Sequence, residues 1–192
     1  GIESVHHLPG VGENLQDHLQ LRPIYKVSNV RTLNADYQSL LKRAWMGIEY
    51  ALFRTGPMTM APSQLGIFAK SNDGYEMPNV QYHVQPLSLE KFGDPLHSFP
   101  AITVSVCNLR PASRGSIHAA SPDPHSQPLI APNYLSTEED RQVAIESIRL
   151  TRKIISAPAL APYEPREYQP GDHLTSDDEL ARAAGDIGTT IF

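Results

Sequence analysis

Few side chains in this sequence have types and surroundings that suit chemistry. His6 and His7 point in opposite directions if their segment is extended, so they are a poor chelating pair and metal binding is not expected. Cys107 lies in an apolar alternating run without a neighbouring base, and we interpret it as a buried, inert thiol. His83 lies in the alternating run 79–85, where a core histidine and a pocket residue are both open readings.

Sequence motifs of several common active sites do not occur. The chain contains no G-x-x-x-x-G-K-[ST] phosphate loop, no G-x-S-x-G nucleophile elbow and no H-E-x-x-H zinc motif. Gly10-Val11-Gly12 lacks the third glycine of a dinucleotide fingerprint and follows no clear strand. The residues alone therefore indicate a loop-rich domain and name no reaction.

Hydrophobic periodicity predicts the helices that would position these side chains. Apolar residues recur at helical spacing over 37–54. Ser136 with Glu139, and Ser176 with Glu179, match the Ser-x-x-Glu capping box at the start of two further helices. These helices should end near residues 156 and 184.

Alternating runs rich in β-branched residues predict the strands. They cover 65–69, 79–85, 101–109 and 116–120. The last two are expected to pair as a β-hairpin, and residues 1–20 to form a loop-rich start. This order of elements predicts an α+β fold, an antiparallel β-sheet with helices packed on one face.

Composition narrows the choice of partners. The 192 residues fit one domain, and 17 prolines argue against a helical bundle. The net charge of −5 without a basic stripe excludes nucleic acid as an expected partner. No apolar run approaches the roughly 20 residues of a transmembrane segment. With its single cysteine the chain is expected in the cytoplasm, and peripheral attachment to a membrane stays open.

Three stretches, in order, resemble the glucose–methanol–choline (GMC) oxidoreductase family. Residues 8–18 (LPGVGENLQDH) are similar to a segment that follows the family's second flavin-domain signature. Residues 109–117 (LRPASRGSI), with SPDP at 121–124 and the run from Pro128 to Leu135, resemble a pattern of its substrate domain. Residues 188–192 (GTTIF) resemble the segment just before its catalytic histidine.

The resemblance implies an FAD-dependent enzyme that transfers hydride from an alcohol to the flavin. Residues 1–20 would lead out of the FAD domain, and residues 21–192 would form the substrate-binding domain. That domain's antiparallel sheet would cover the pocket above the flavin ring. The expected partners are a small-molecule alcohol and the FAD domain of the same polypeptide. The particular alcohol and the electron acceptor, oxygen or a quinone-type carrier, stay open.

The resemblance also suggests site residues. Asn14, Asp17 and His18 match the motif that runs near the cofactor, although Asn14 and Asp17 could equally hold a turn. The expected substrate-pocket residues are Gln64, His83, Arg110, Thr190 and Ile191. Arg110 could instead be a partly exposed structural cation. Gln64 stands where choline-specific relatives carry a glutamate, which disfavours a quaternary ammonium substrate.

No catalytic residue is carried over to this chain. The family pattern continues beyond Phe192 with the catalytic histidine, and its G-x-G-x-x-G fingerprint is not in the sequence. We therefore expect the chain alone to lack FAD and activity, and a homodimer through an uncovered apolar face is plausible. The alternatives are a non-catalytic binding or structural module and a lyase on the same scaffold.

Overall fold

A computed structural model describes residues 5–61, 63–91 and 93–191 of the chain. Its strands are β1 (Glu13–Leu15), β2 (Leu19–Leu21), β3 (Ile24–Lys26), β4 (Leu65–Ala69), β5 (Val80–Gln85), β6 (Ala101–Asn108), β7 (Gly115–His118), β8 (Leu129–Ala131), β9 (Arg166–Gln169) and β10 (Gly188–Thr190). Its α-helices are α1 (Leu33–Tyr37), α2 (Leu40–Phe53), α3 (Glu138–Ile155) and α4 (Asp177–Ile187). The fold is α+β with antiparallel sheets, which confirms the predicted class.

A large antiparallel sheet is built around β6. On one side β6 pairs with β5, which pairs with β4 at the edge. On its other side β6 pairs with β2 near one end and with β3 near the other. The two short strands form one line interrupted at Arg22-Pro23, because proline has no backbone N–H to give to the sheet. Strands β10 and β9 complete this side, next to β2 and β3 respectively.

The helices α3 and α4 cover one face of this sheet. Successive side chains of a strand point to opposite faces, so Tyr82 of β5 and Val106 of β6, which are paired, lie on the same side. Both are fully buried against α3, which contributes Ile148 to the same core. Ala144, Ile148 and Ile155 of α3 are buried on the same helical face. Leu180 of α4 completes this core.

The start of α3 differs from the predicted capping box at Ser136. The N-cap is Thr137, whose hydroxyl accepts a hydrogen bond from the Asp140 backbone N–H at 3.2 Å. Glu139 therefore lies at the second helical position, too early to reach back to the cap. The second predicted capping box, Ser176 with Glu179, is confirmed at the start of α4.

The buried carboxylate of Asp140 anchors the loop that precedes β7. Its two oxygens accept hydrogen bonds from the backbone N–H groups of Ala112 and Ser113, at 2.9 and 2.7 Å. Burial alone would raise the pKa of Asp140, but the hydrogen bonds from Ser113, Ala112 and Thr137 outweigh it and hold the pKa below its ordinary value. The motif at 111–115 is therefore fixed to the N-terminus of α3.

The predicted hairpin between 101–109 and 116–120 is wrong. Strand β7 pairs with β1 and β8 in a separate three-stranded sheet, and β6 pairs within the large sheet. The loop at 111–115, which Asp140 anchors, leads the chain away from β6. Strand β7 then pairs closely with the backbone of β8. A Cβ atom added to Gly115 would lie 2.0 Å from the carbonyl oxygen of Ala131, so only glycine fits there.

The predicted helix at 37–54 corresponds to α2, which begins three residues later at Leu40, and the short helix α1 before it was not predicted. Ser39, extended in backbone conformation, caps α2 through a hydrogen bond from the Lys42 N–H to its hydroxyl. Helix α2 has no buried residue and packs mainly against α1 and the 3₁₀ turn Pro57–Thr59. The chain segment 1–20, expected to be a loop, contributes two short strands.

We predict that Asp140→Asn destabilises the fold by about 1.5–3 kcal/mol, because the amide replaces one of the two accepting oxygens with an NH2 group and leaves one backbone N–H unpaired. The measurement is urea unfolding followed by circular dichroism. The wild type should be more stable than the variant above about pH 4, the ordinary pKa of a carboxyl group. This difference in stability should be lost as the pH falls through the lowered pKa of Asp140.

Glu139→Gln is the matched control, since Glu139 is exposed on the same helical turn. Equal unfolding midpoints for the two variants would show that the loop anchor contributes nothing.

Candidate functional site

The N-terminal motif is held by contacts within the chain. Asn14 has a left-handed backbone (φ 59°) and is exposed. Asp17 accepts hydrogen bonds from its neighbour's backbone, the N–H of His18 at 2.8 Å, and from the Tyr134 hydroxyl. Burial and the Asp17 carboxylate raise the pKa of Tyr134 to about 12. Asp17 thus performs the turn-holding role in this structure, and its contact with a cofactor stays a prediction, as it does for Asn14 and His18.

The face of the large sheet opposite α3 and α4 is lined by uncharged polar side chains. The register pairs His83 of β5 with Ser105 of β6, and Gln85 with Thr103. It also pairs Gln20 of β2 with Cys107 of β6, whose side chain points the same way as that of Ser105. We call Gln20, His83, Gln85, Thr103 and Ser105 the polar row.

Gln20 and His83 form a bridge across β6. The Nε2 atom of Gln20 lies 3.0 Å from Nδ1 of His83, although their strands are separated by β6. The bridge spans the positions of Ser105 and Cys107, which are 0% and 2% exposed. An amide nitrogen only donates, so Nδ1 of His83 accepts and the neutral ring carries its proton on Nε2.

Burial lowers the pKa of His83, which favours the neutral ring. The His83 side chain is half-buried, so its Nε2–H can meet a bound molecule on this face. A neutral imidazole in this state donates one hydrogen bond and adds no charge.

Two buried acceptors of the polar row have no hydrogen-bond partner within the described part of the chain. They are Oγ of Ser105 and Oε1 of Gln85. Thr103, in contrast, donates from its hydroxyl to the Leu87 carbonyl at 2.7 Å. Buried polar atoms in native proteins are nearly always paired. Both atoms are shielded from solvent, so within the described residues these two positions are exceptions to that rule.

A cleft of about 280 Å³ lies beside β10. It is lined by residues such as Arg22, Lys91, Gln169, Asp186 and Thr189. Thr189 pairs with Gln20, so its side chain belongs to the same sheet face. Burial lowers the pKa of Arg22, which is 3% exposed.

The structure divides the five predicted pocket residues among different places. His83 lies in the polar row. Gln64 lies just before β4, donates its amide to Sδ of Met60 and lines a cleft of about 210 Å³ beside Asp36. Arg110 is exposed and donates to the Pro78 carbonyl at 3.3 Å.

The remaining two predicted residues follow α4. Thr190 pairs with Leu19, on the helix-covered side, and hydrogen bonds with Tyr134. The Ile191 N–H donates to the His18 carbonyl at 3.3 Å. The pocket roles of all five residues stay predictions.

Sequence reasoning missed Gln20, Gln85 and Ser105. The alternation of 79–85 and 101–109 already places Gln85 with His83, and Ser105 with Cys107, on one side of their strands. The sequence around Gln20 does not show such alternation, because a strand of three residues is too short for it.

Comparison with known proteins agrees with this architecture. A family model described as GMC oxidoreductase matches residues 111–191. An alcohol dehydrogenase (acceptor) of Pseudomonas putida is 38% identical over 193 residues, which cover 100% of this chain and 35% of the relative. An oxygen-dependent choline dehydrogenase of Photobacterium profundum is 38% identical over 180 residues, 94% of this chain and 32% of the relative.

This chain belongs to the GMC oxidoreductase family. It spans about a third of the length of the curated relatives that it matches. Among solved GMC-like structures, a formate oxidase variant of Aspergillus oryzae from work on FAD modification superposes with a TM-score of 0.84 at 22% identity. That match covers 100% of this chain and 38% of the oxidase. A pyridoxine 4-oxidase from Mesorbium loti gives 0.75 at 20% identity, over 99% and 33%.

The described helices of this GMC segment are all too short or too polar to cross a membrane.

We predict that the free energy of unfolding declines as the pH drops below about 6.5, the ordinary histidine pKa, with a contribution from His83. Burial lowers the folded-state pKa of His83, so the unfolded chain takes up its proton first. The stabilisation from His83 is complete at pH values above its pKa in the unfolded chain. It is lost as the pH falls through the lower pKa of His83 in the folded protein. His83→Gln should flatten this part of the profile, measured by urea unfolding between about pH 5 and 8.

The matched control is His125→Gln, because His125 is exposed in the loop between β7 and β8. Unchanged profiles for both variants would mean that His83 is not desolvated.

Proposed function

We propose that this chain forms the substrate-binding part of an FAD-dependent oxidoreductase that acts on the CH–OH group of alcohols. In this proposal residues 21–192 are the substrate domain, and residues 1–20 lead from the part of the protein that holds FAD. The observation that carries it is the asymmetry of the large sheet. One face is closed by α3 and α4, and the other presents the polar row.

The polar row fits a flavin with a substrate bound beside it. The half-buried His83 ring presents its Nε2–H on this face, and an alcohol oxygen can accept that hydrogen bond. The exposed ring of Phe68 on β4 adds a flat apolar surface on the same face. FAD, when bound, supplies the acceptor for the hydride of the alcohol.

The chain's own groups then orient the alcohol. The Nε2–H of His83 donates to the alcohol oxygen, while Gln20 holds the imidazole ring through Nδ1. Fixing one donor in this way reduces the freedom that binding must remove. The sheet also excludes water from the reacting carbon on its side.

The charge of the polar row favours an uncharged alcohol. Its five members carry no carboxylate, and the pKa of His83 is lowered, so the row offers no negative charge to a quaternary ammonium group. Gln64 stands at the position where choline-specific relatives carry a glutamate. It is exposed, and its amide hydrogen bonds to Met60. Desolvating a permanent cation without a counter-charge is costly. We therefore propose a neutral alcohol in preference to choline.

The direct test uses the full-length protein. It should purify with a flavin spectrum and reduce an artificial electron acceptor when a primary alcohol is added. A colourless protein that binds no FAD on reconstitution contradicts the proposal and supports a non-catalytic module. Flavin without acceptor reduction, combined with cleavage of a carbon–carbon bond, supports the lyase.

We predict that Gln20→Leu raises the KM for the alcohol about tenfold, the effect of one lost hydrogen-bonded positioning contact. The substitution releases the His83 ring without changing charge. Steady-state kinetics with the artificial acceptor measures it. Gln142→Leu is the control, since Gln142 is exposed on α3, across the sheet from the polar row, and its amide hydrogen bonds to Glu146. An unchanged KM in Gln20→Leu would show that His83 does not position the alcohol.

A further inference from the structure

Gly66 lies in the second position of β4, where the described chain gives no reason for a glycine. The register between β4 and β5 runs from Leu65 to Ala69 without a shift, so Gly66 is not part of a β-bulge. Its backbone is outside the left-handed region. A Cβ atom added there would meet one described atom within 4 Å beyond its chain neighbours, the Tyr82 carbonyl oxygen at 4.0 Å. That is ordinary contact, so the strand itself would accept a side chain at residue 66.

A glycine in a strand weakens it, because glycine loses more conformational freedom on folding than any other residue. The usual reasons for one are a bulge, a sharp bend, or the close approach of a ligand or of another backbone. The unshifted register leaves no bulge or bend at Gly66. Within the described residues β4 pairs only with β5, so no second backbone approaches it there. The remaining reason is the approach of a molecule to the sheet.

The space above Gly66 lies beside His83. The two residues are paired directly, so they share the face of the sheet that carries the polar row. The His83 ring does not fill this space, because it reaches the other way, across β6, to Gln20 at 3.0 Å. Gly66 itself is exposed. We call the space above Gly66 the Gly66 gap.

Phe68 forms a second wall of the Gly66 gap. It lies two residues after Gly66 and therefore on the same face, and it is 62% exposed. The two positions are about 7 Å apart along an extended strand, within the reach of contact between aromatic rings. Opposite Phe68 stands Gln81, which is uncharged and half-buried. The gap therefore lies between a hydrogen-bonding imidazole and an aromatic ring.

These walls fit an uncharged apolar group that is larger than a methyl group. A branched or aromatic group above Gly66 buries apolar surface against the Phe68 ring, and a methyl group buries less. A charged group would find no counter-charge on Gly66, Phe68 or Gln81. Burial of such a charge without a partner is costly.

We infer that Gly66 is a specificity-determining residue. Because it has no side chain, branched and aromatic alcohols place their apolar substituent in the Gly66 gap, between His83 and Phe68. The inference rests on the proposed oxidation of alcohols and adds a substrate class to it. An alcohol as small as ethanol leaves the gap empty and does not depend on residue 66.

The test uses the full-length protein with an artificial electron acceptor, and benzyl alcohol and ethanol as the two probes. Wild type should have the higher kcat/KM for benzyl alcohol. Gly66→Val should lower this value about tenfold or more, mainly through KM, because the valine methyl groups occupy the gap. The value for ethanol should change by less than about twofold. Gly66→Ala should act in the same direction with a smaller effect.

The stability of the variants separates a filled gap from a damaged fold. The urea midpoint of Gly66→Val should equal or exceed that of wild type, because β-branched residues favour strands. Gly185→Val is the matched control. Gly185 is exposed on α4, across the sheet, and a Cβ atom there would meet no described atom within 4 Å beyond its neighbours and its own helix backbone. This variant should keep the wild-type preference for benzyl alcohol.

The inference is overturned if wild type prefers ethanol, or if Gly66→Val keeps the preference of wild type. It is also overturned if Gly66→Val loses both activities or its bound flavin, since the cofactor or another protein segment then occupies the gap. All these outcomes leave the proposed function standing. A wild-type protein that is inactive with every alcohol contradicts the proposed function, and the inference with it.

Discussion

Burial of β6 on both of its faces is the constraint on which the rest of this structure depends. On one face Val104 and Val106 face α3 and need only apolar contacts. On the other, Thr103 and Ser105 are fully buried with hydroxyl groups that need partners. A strand of this kind can be central only if something supplies hydrogen bonds on its polar side. The loop carbonyl of Leu87 does so for Thr103, while the Ser105 hydroxyl lies beneath the Gln20–His83 bridge with no partner among the described residues.

The two faces of β6 therefore differ in how much substitution they tolerate. The valines of β6 could be exchanged for other apolar residues of similar volume with modest cost. The polar side tolerates less, because a buried hydroxyl or amide needs a hydrogen-bond partner that an apolar replacement cannot provide. The asymmetry gives the two faces different roles, and the comparison with GMC oxidoreductases agrees with that division.

The elements that were predictable are those with a strong local signal. Strands β4, β5 and β6 and the helix α4 follow from alternation and from the capping box at Ser176. Strands β1, β2 and β3 were not predictable, because three residues carry no period and their pairing is set by distant strands. The hairpin was misassigned because the hydrogen bonds of Asp140 decide where the chain turns, and that contact joins residues 27 and 28 positions apart.

The candidate site shows the same limit. A family motif supplied Asp17, and the alternating run 79–85 supplied His83, but the Asp17 carboxylate holds the N-terminal turn and Tyr134. The Gln20 partner of His83 is separated from it by 63 residues. The residue pattern within one strand cannot predict a contact between residues so far apart in the sequence. What the sequence does contain is the type of residue on each face, which becomes informative only after the strands have been paired.

The isolation of α2 has a consequence for how the protein moves. A helix without buried residues gains little from tertiary packing, and 14 residues are marginal for a helix that relies on its own hydrogen bonds. Its opening is therefore separate from the cooperative opening of the sheet, where every strand depends on β6. The protein thus combines a rigid sheet with an appendage whose order depends on what it touches.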